Sequence, residues 1–170
     1  MADEFSSTDI VLVCGNYNSG KTTIAKKYFG QRMRINRNEI RRFLKHMSSH
    51  GEKWTPSDYN AETGPLVKHI EFAVMRDFLG RNKKIVIDNT SLTRESRKRY
   101  LVEAKNLKKT IGCLFVQVPI EELISRNRTR SEEERVPERV LVDLYSKTEP
   151  PTSAEGFAVV RRISGTANGD

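Results

Sequence analysis

Apolar and polar positions divide the chain into short apolar runs separated by longer amphipathic stretches. "IVLVC" (Ile10–Cys14) is brief, rich in β-branched residues and ends at a glycine, which predicts a buried strand. "QRMRIN" (Gln31–Asn36), "KKIVID" (Lys83–Asp88) and "IGCLFVQV" (Ile111–Val118) predict three more, and "GFAVVRRI" a last short one. Helices are predicted for "IAKKYF", for "EIRRFLKHM", from about Asp58 to Leu79, and for the basic stretch Arg94 to Leu107. Two further helices, Ile120–Arg130 and Pro137–Tyr145, are joined by the charged "SEEERV". The long helix carries Leu66, Ile70, Ala73, Val74 and Phe78 on one face, and Gly64-Pro65 either interrupts it or marks its start. "GEKWTPS" reads as a loop and the closing "SGTANGD" (164–170) as a frayed tail.

Strands alternating with helices place the chain in the α/β class, with a parallel sheet covered by helices on both faces. Neither an internal repeat nor a linker divides it, so residues 1–170 are expected to form a single domain. Ligands in such sheets bind beyond the carboxyl ends of the strands. The informative loops therefore follow Cys14, Asn36, Asp88 and Val118.

Composition adds constraints. Hydrophobic residues make up 36% and charged residues 31% of the chain, with a net charge of +8. This balance suits acidic partners such as nucleotides or nucleic acid, and equally a merely well-solvated surface. No apolar run approaches the roughly 18–20 residues of a membrane span, so no membrane partner is expected. The N-terminal "MADEFSSTD" is acidic and polar, unlike a signal peptide. Cys14 and Cys113 lie in apolar runs and read as buried reduced thiols, consistent with an intracellular location, cytoplasmic or nuclear.

The chemistry begins at "GNYNSGKT", Gly15 to Thr22, which fits G-x-x-x-x-G-K-[ST] between a predicted strand and a predicted helix. Glycines let backbone N–H groups wrap an anion, and the helix presents its positive end. In this pattern Lys21 reaches the β- and γ-phosphates and the Thr22 hydroxyl binds Mg²⁺. Gly15, Asn18, Ser19, Gly20, Lys21, Thr22 and Thr23 are the nucleotide-binding candidates of a P-loop NTPase fold. Asp88 and Asn89 sit at a carboxyl edge, where they face the metal, its waters or the acceptor, unless Asp88 is simply a turn acid. Arg126 and Arg130 of "SRNRTR" lie one helical turn apart, suited to clamp polyphosphate from a helical lid, or else to pair with Glu132–Glu134 on a solvated face.

"GNYNSGKTT", "INRNEIRR", "IDNTSLTRESRKRY", "RNRTR…VPERV" and "EPPTSAEGFAVV" together resemble the kinase module of polynucleotide 5′-hydroxyl kinases, over roughly Ile10 to Val160. The resemblance implies transfer of the γ-phosphate of ATP or GTP, with Mg²⁺, to a 5′-OH end of DNA or RNA. It implies Lys21, Thr22, Arg126 and Arg130 on the donor and Arg41 on the acceptor's 3′-side phosphate. It places Asn89 and Thr90 in the loop that positions the acceptor, and the arginines of "RESRKRY" fit either a strand trackway or a solvated face. The D-x-D-x-T signature of a 3′-phosphatase is absent from the chain.

One departure matters. The family has an aspartate after "N-R" that accepts the proton of the attacking hydroxyl, and here the position is Asn38. An amide can bond a hydroxyl but cannot take its proton, and a lost general base typically costs about 10² to 10⁴ in rate. Three explanations stay open: an engineered Asp→Asn change, which the intact donor and acceptor residues favour; Glu39 as substitute base; or a natural pseudo-kinase. The enzymatic alternative is a small-metabolite kinase on the same fold. Tyr17, Trp54 and Tyr59 are candidates to stack an acceptor base.

Overall fold

The structure, a computed structural model, describes residues 1–165. Five strands form one sheet, all parallel: β1 (Ile10–Gly15), β2 (Met33–Ile35), β3 (Ile85–Asp88), β4 (Ile111–Gln117) and β5 (Val159–Ser164), in the order β2-β3-β1-β4-β5. Every residue of β1 is buried, because this central strand is covered on both faces and needs no polar alternation.

The helices are α1 (Lys21–Phe29), α2 (Arg37–Ser48), α3 (Gly64–Gly80), α4 (Arg94–Asn106), α5 (Ile120–Arg128) and α6 (Glu138–Ser146). Alternate residues of β1 serve opposite cores. Ile10, Leu12 and Cys14 pack with Met75 and Leu79 of α3 and with Tyr100 and Ala104 of α4. Val11 and Val13 pack with Ala25 and Phe29 of α1 and with Leu123 of α5. Cys14 and Cys113 are buried free thiols, Sγ to Sγ 3.3 Å.

Several boundaries differ from expectation. The segment after Ser57 is not helical: Pro56–Asp58 forms a 3-10 turn and α3 begins at Gly64, with Pro65 in its first turn, where a missing N–H costs nothing. The predicted apolar face of α3 is also displaced. Leu66 is 49% exposed and Ala73 is exposed, Val74 and Phe78 are half-buried against the core as expected, and Val67, Glu71, Met75 and Leu79 are buried. The true stripe includes a carboxylate, which apolar periodicity cannot count. β2 is limited to Met33–Ile35, so Asn36 caps α2 and Asn38 enters the first turn. α5 ends at Arg128, leaving Arg130 on the following segment. Ser164, assigned to the tail, pairs with Gln117 at the end of β5, and residues 166–170 lie outside the described part.

The "RESRKRY" helix is neither wholly trackway nor wholly solvated. Arg97 is fully buried and bidentate to Glu155, both bonds 2.8 Å, and its third nitrogen donates to the carbonyls of Leu92 and Glu149. This ties α4 to the segment that enters β5. Removing one partner of a buried pair strands the other's charge, so Glu155→Ala should cost about 3 kcal/mol in urea denaturation. Glu138→Ala, which breaks an exposed pair with Arg128, should leave the midpoint almost unchanged.

Candidate active site

β1 ends where the backbone must turn sharply. Gly15 has φ 150°, and a Cβ there would stand 2.5 Å from the Val116 carbonyl oxygen, so only glycine fits. Its N–H donates to the Thr90 carbonyl (3.0 Å), fixing the start of the loop to the β3 edge. Asn18 at the loop tip is left-handed (φ 63°), and Gly20 (φ 89°) caps α1. Ser19 is buried, while Thr22 and Thr23 are exposed on the first turn of α1.

Lys21 is almost buried and donates to the Asn16 carbonyl (2.6 Å), with Ser19 Oγ at 3.5 Å. Burial pushes its ammonium down to about 8, against the opposing pull of Asp88. The Thr22 hydroxyl donates to Asp88 Oδ2 (2.7 Å), which also receives Arg34 (3.0 Å). Asp88 Oδ1 is buried without a partner. A hydroxyl beside an unsatisfied carboxylate oxygen suits a hard cation that completes its shell with phosphate and water. Thr22 and Asp88 are the residues that would hold Mg²⁺, although among the described residues no three His, Cys, Asp or Glu converge.

The lid arginines converge on the loop. Arg126 donates to the Asn18 carbonyl (3.1 Å) and Arg130 to the Asn18 side chain (2.9 Å), while Glu122 and Glu134 hold their other nitrogens. Arg130 thus pairs with one acid of Glu132–Glu134, whereas Arg126 pairs with Glu122 of its own helix. Asn127, buried between them, bonds Asn18 Nδ2 (3.1 Å) and both backbone groups of Val136, fastening segment 129–137 to the phosphate loop. Nothing in its sequence context marked Asn127.

The acceptor candidates divide. Asn38 lies in a cleft of about 640 Å³, lined also by Tyr17, Arg42, His46, Trp54 and Arg130. Arg41 donates to Asn38 Oδ1 (3.0 Å), stacks over Tyr59 (5.2 Å), and has a buried Nε without a partner. Burial raises the Tyr17 phenol, keeping it a neutral donor. Glu39 instead turns to Arg34, is exposed, and does not line the cleft. Asp88 faces Thr22 rather than the cleft. The Asn89 side chain is consumed structurally: it accepts from the Arg37 N–H (3.1 Å) and donates to Glu71 (2.6 Å) and the Tyr100 oxygen (3.0 Å). Thr90 contributes its backbone carbonyl to Gly15, and the Asn89 side chain, fully engaged, is not free for the acceptor contact the resemblance implies.

A family described as AAA domain matches residues 10–151. The chain belongs to that family. A bifunctional polynucleotide phosphatase/kinase of Schizosaccharomyces pombe is 33% identical over 89 residues, which are 50% of this chain and 22% of the relative. The chain thus spans about a fifth of that relative's length. Among solved structures, Chaetomium thermophilum Kti12 in complex with ADP-AlF3 superposes with a TM-score of 0.65 at 18% identity, covering 91% of this chain and 88% of that one. The Pnkp1/Rnl/Hen1 RNA repair complex gives 0.65 at 17% identity, over 81% and 43%. A gluconokinase of Sinorhizobium meliloti 1021 gives 0.59 at 16%, over 92% and 82%. The likenesses to these solved structures show a shared P-loop fold. Among the described residues, no helix is long and apolar enough to cross a membrane.

A nucleotide's phosphates favour protonated Lys21, so binding raises its proton affinity above that of the free protein. Affinity for ATP should therefore fall as pH rises through about 8. At pH 8 binding should take up about half a proton, read by calorimetry in two buffers of different ionisation enthalpy, and Lys21→Met should abolish the uptake.

Proposed function

We propose that the chain is a polynucleotide 5′-hydroxyl kinase module whose transfer step is impaired by Asn38. The observation that carries this reading is the pair Asn38–Arg41 on the first turns of α2. Asn38 lies in the cleft entered by Tyr17 of the phosphate loop and by the lid residue Arg130, and Arg41 offers a buried donor with no protein partner. A phosphate on the 3′ side of the reacting nucleoside would satisfy that donor with a charge-assisted bond.

In this mechanism Lys21 and the backbone N–H groups of the loop hold the donor triphosphate. Arg126 and Arg130, already at the loop tip, move from Asn18 to phosphate oxygens and neutralise charge in the transition state. Mg²⁺, held by Thr22 and Asp88, would supply further charge neutralisation at the phosphates. Asn38 accepts a hydrogen bond from the 5′-hydroxyl and so orients it in line, but the amide cannot take the proton. Glu39 is a poor substitute because Arg34 holds it outside the cleft. An Asp→Asn change at this position accounts for intact binding elements beside a missing base.

A small-metabolite kinase is the second reading, favoured by the shared fold with a gluconokinase. Asn38→Asp should raise γ-phosphate transfer to a 5′-OH oligonucleotide by at least about a hundredfold, with little transfer to a free nucleoside or sugar acid. An unchanged rate would remove the missing-base idea and favour a binding-only module. Oligonucleotide binding should also weaken steeply with salt, as released counterions require.

A further inference from the structure

We propose that the outer face of α2 is a stacking platform for the single-stranded nucleotides that follow the reacting 5′ end. This deepens the acceptor reading above and rests on it. Of the six α-helices among the described residues, α2 alone has no buried residue. It touches the core only through partly buried side chains such as Ile40, and the opposite face is free. On that free face two rows run side by side at the spacing of a helical turn. Arg42 and His46 form one row and line the acceptor cleft. Phe43 and Met47 form the next and are 62% and 61% exposed.

Phe43 and Met47 together form a contiguous apolar patch, the kind of surface that interaction sites use. Here the adjoining row is basic and opens into the cleft that holds Asn38. The neighbouring acid, Glu39, is already neutralised by Arg34, and Lys45 is engaged by Glu52 and Asp58. What remains on this face is the Arg42 guanidinium and the His46 imidazole beside an aromatic ring and a thioether. That mixture fits a single strand, with its phosphates on the basic row and its bases on the apolar row. The chain's net charge of +8 favours the same anionic partner. Phe43 lies about 7.5 Å along the helix from Asn38, so a base stacked there belongs to a nucleotide beyond the reacting one. A base held in a blunt duplex has no free face to offer without unpairing.

The unaltered chain and Phe43→Ser should be compared by fluorescence anisotropy with a labelled 5′-OH hexanucleotide, as DNA and as RNA, and with a blunt hairpin. Because Phe43 is exposed, the substitution should preserve folding, checked by circular dichroism. Phe43→Ser should weaken both single-stranded hexanucleotides about tenfold and leave the hairpin unaffected. In the Asn38→Asp form it should raise KM for the hexanucleotide by a similar factor and leave KM for a nucleoside 3′-phosphate unchanged. Equal hexanucleotide affinities, or an equal loss on the hairpin, would overturn the platform. Absence of transfer to either acceptor by the Asn38→Asp form would instead overturn the kinase reading, and the binding comparison would still decide the platform.

Discussion

A carboxylate with no access to water must be surrounded by donors, and Glu71 imposes that condition on the acceptor side of this molecule. It is fully buried on α3, and it takes two bonds from Arg37 (2.7 and 2.6 Å), one from Asn89 and one from the Tyr100 phenol (2.7 Å). Burial, and then the charge of Glu71, pushes the phenol up, so Tyr100 stays a donor. The four side chains join α2, α3, α4 and the end of β3. Since α2 contributes no buried residue, apolar packing alone does not fix its position. Arg37 on Glu71, the Arg37 N–H on Asn89, and Asn36 on the Asp88 carbonyl do so. Asn38 lines the cleft, with Arg41 bonded to it, because this polar anchor holds the helix at its N-terminus.

The same economy governs the arginines. A strongly basic chain needs ways to keep its cations compatible with a folded core, and here they are divided by partner. Arg97 satisfies Glu155 and three carbonyls inside the fold, and Arg32 satisfies the carbonyls of Phe5, Thr8 and Asp9. Arg126 and Arg130 are more exposed, each shared between an acid and the loop tip, which is where the proposed function would redirect them to phosphate. Arg41 keeps one donor unspent. Positive charge is thus locked where it supports structure and left adjustable where it meets an anion.

The phosphate loop was legible because its demands are local: glycine where a Cβ would strike Val116, a lysine at the helix start, and a hydroxyl next to it. The strand–helix order was legible because parallel strands buried on both faces leave continuous apolar runs. The face of α3 was not, since its buried stripe contains Glu71, and a glutamate reads as solvent-facing until its partners from three other elements are known. Asn89 shows the same limit. Its place at a carboxyl edge suggested acceptor contact, but the donors and acceptors that claim it come from residues 11 to 52 positions away in the chain.

By itself the sequence determined the fold class, the anion cradle and the candidacy of Arg126 and Arg130, carried by short-range spacing and residue chemistry, while Asn38 and Arg41 stood out only through the resemblance to polynucleotide 5′-hydroxyl kinases. Only the tertiary structure decided which candidates share a site. It turned Glu39 toward Arg34, committed Asp88 to Thr22, spent Asn89 on Glu71 and brought Arg130 to Asn18 from 112 positions away. The reason is physical: a buried polar group takes the partner that packing delivers, and sequence spacing does not say which partner that is.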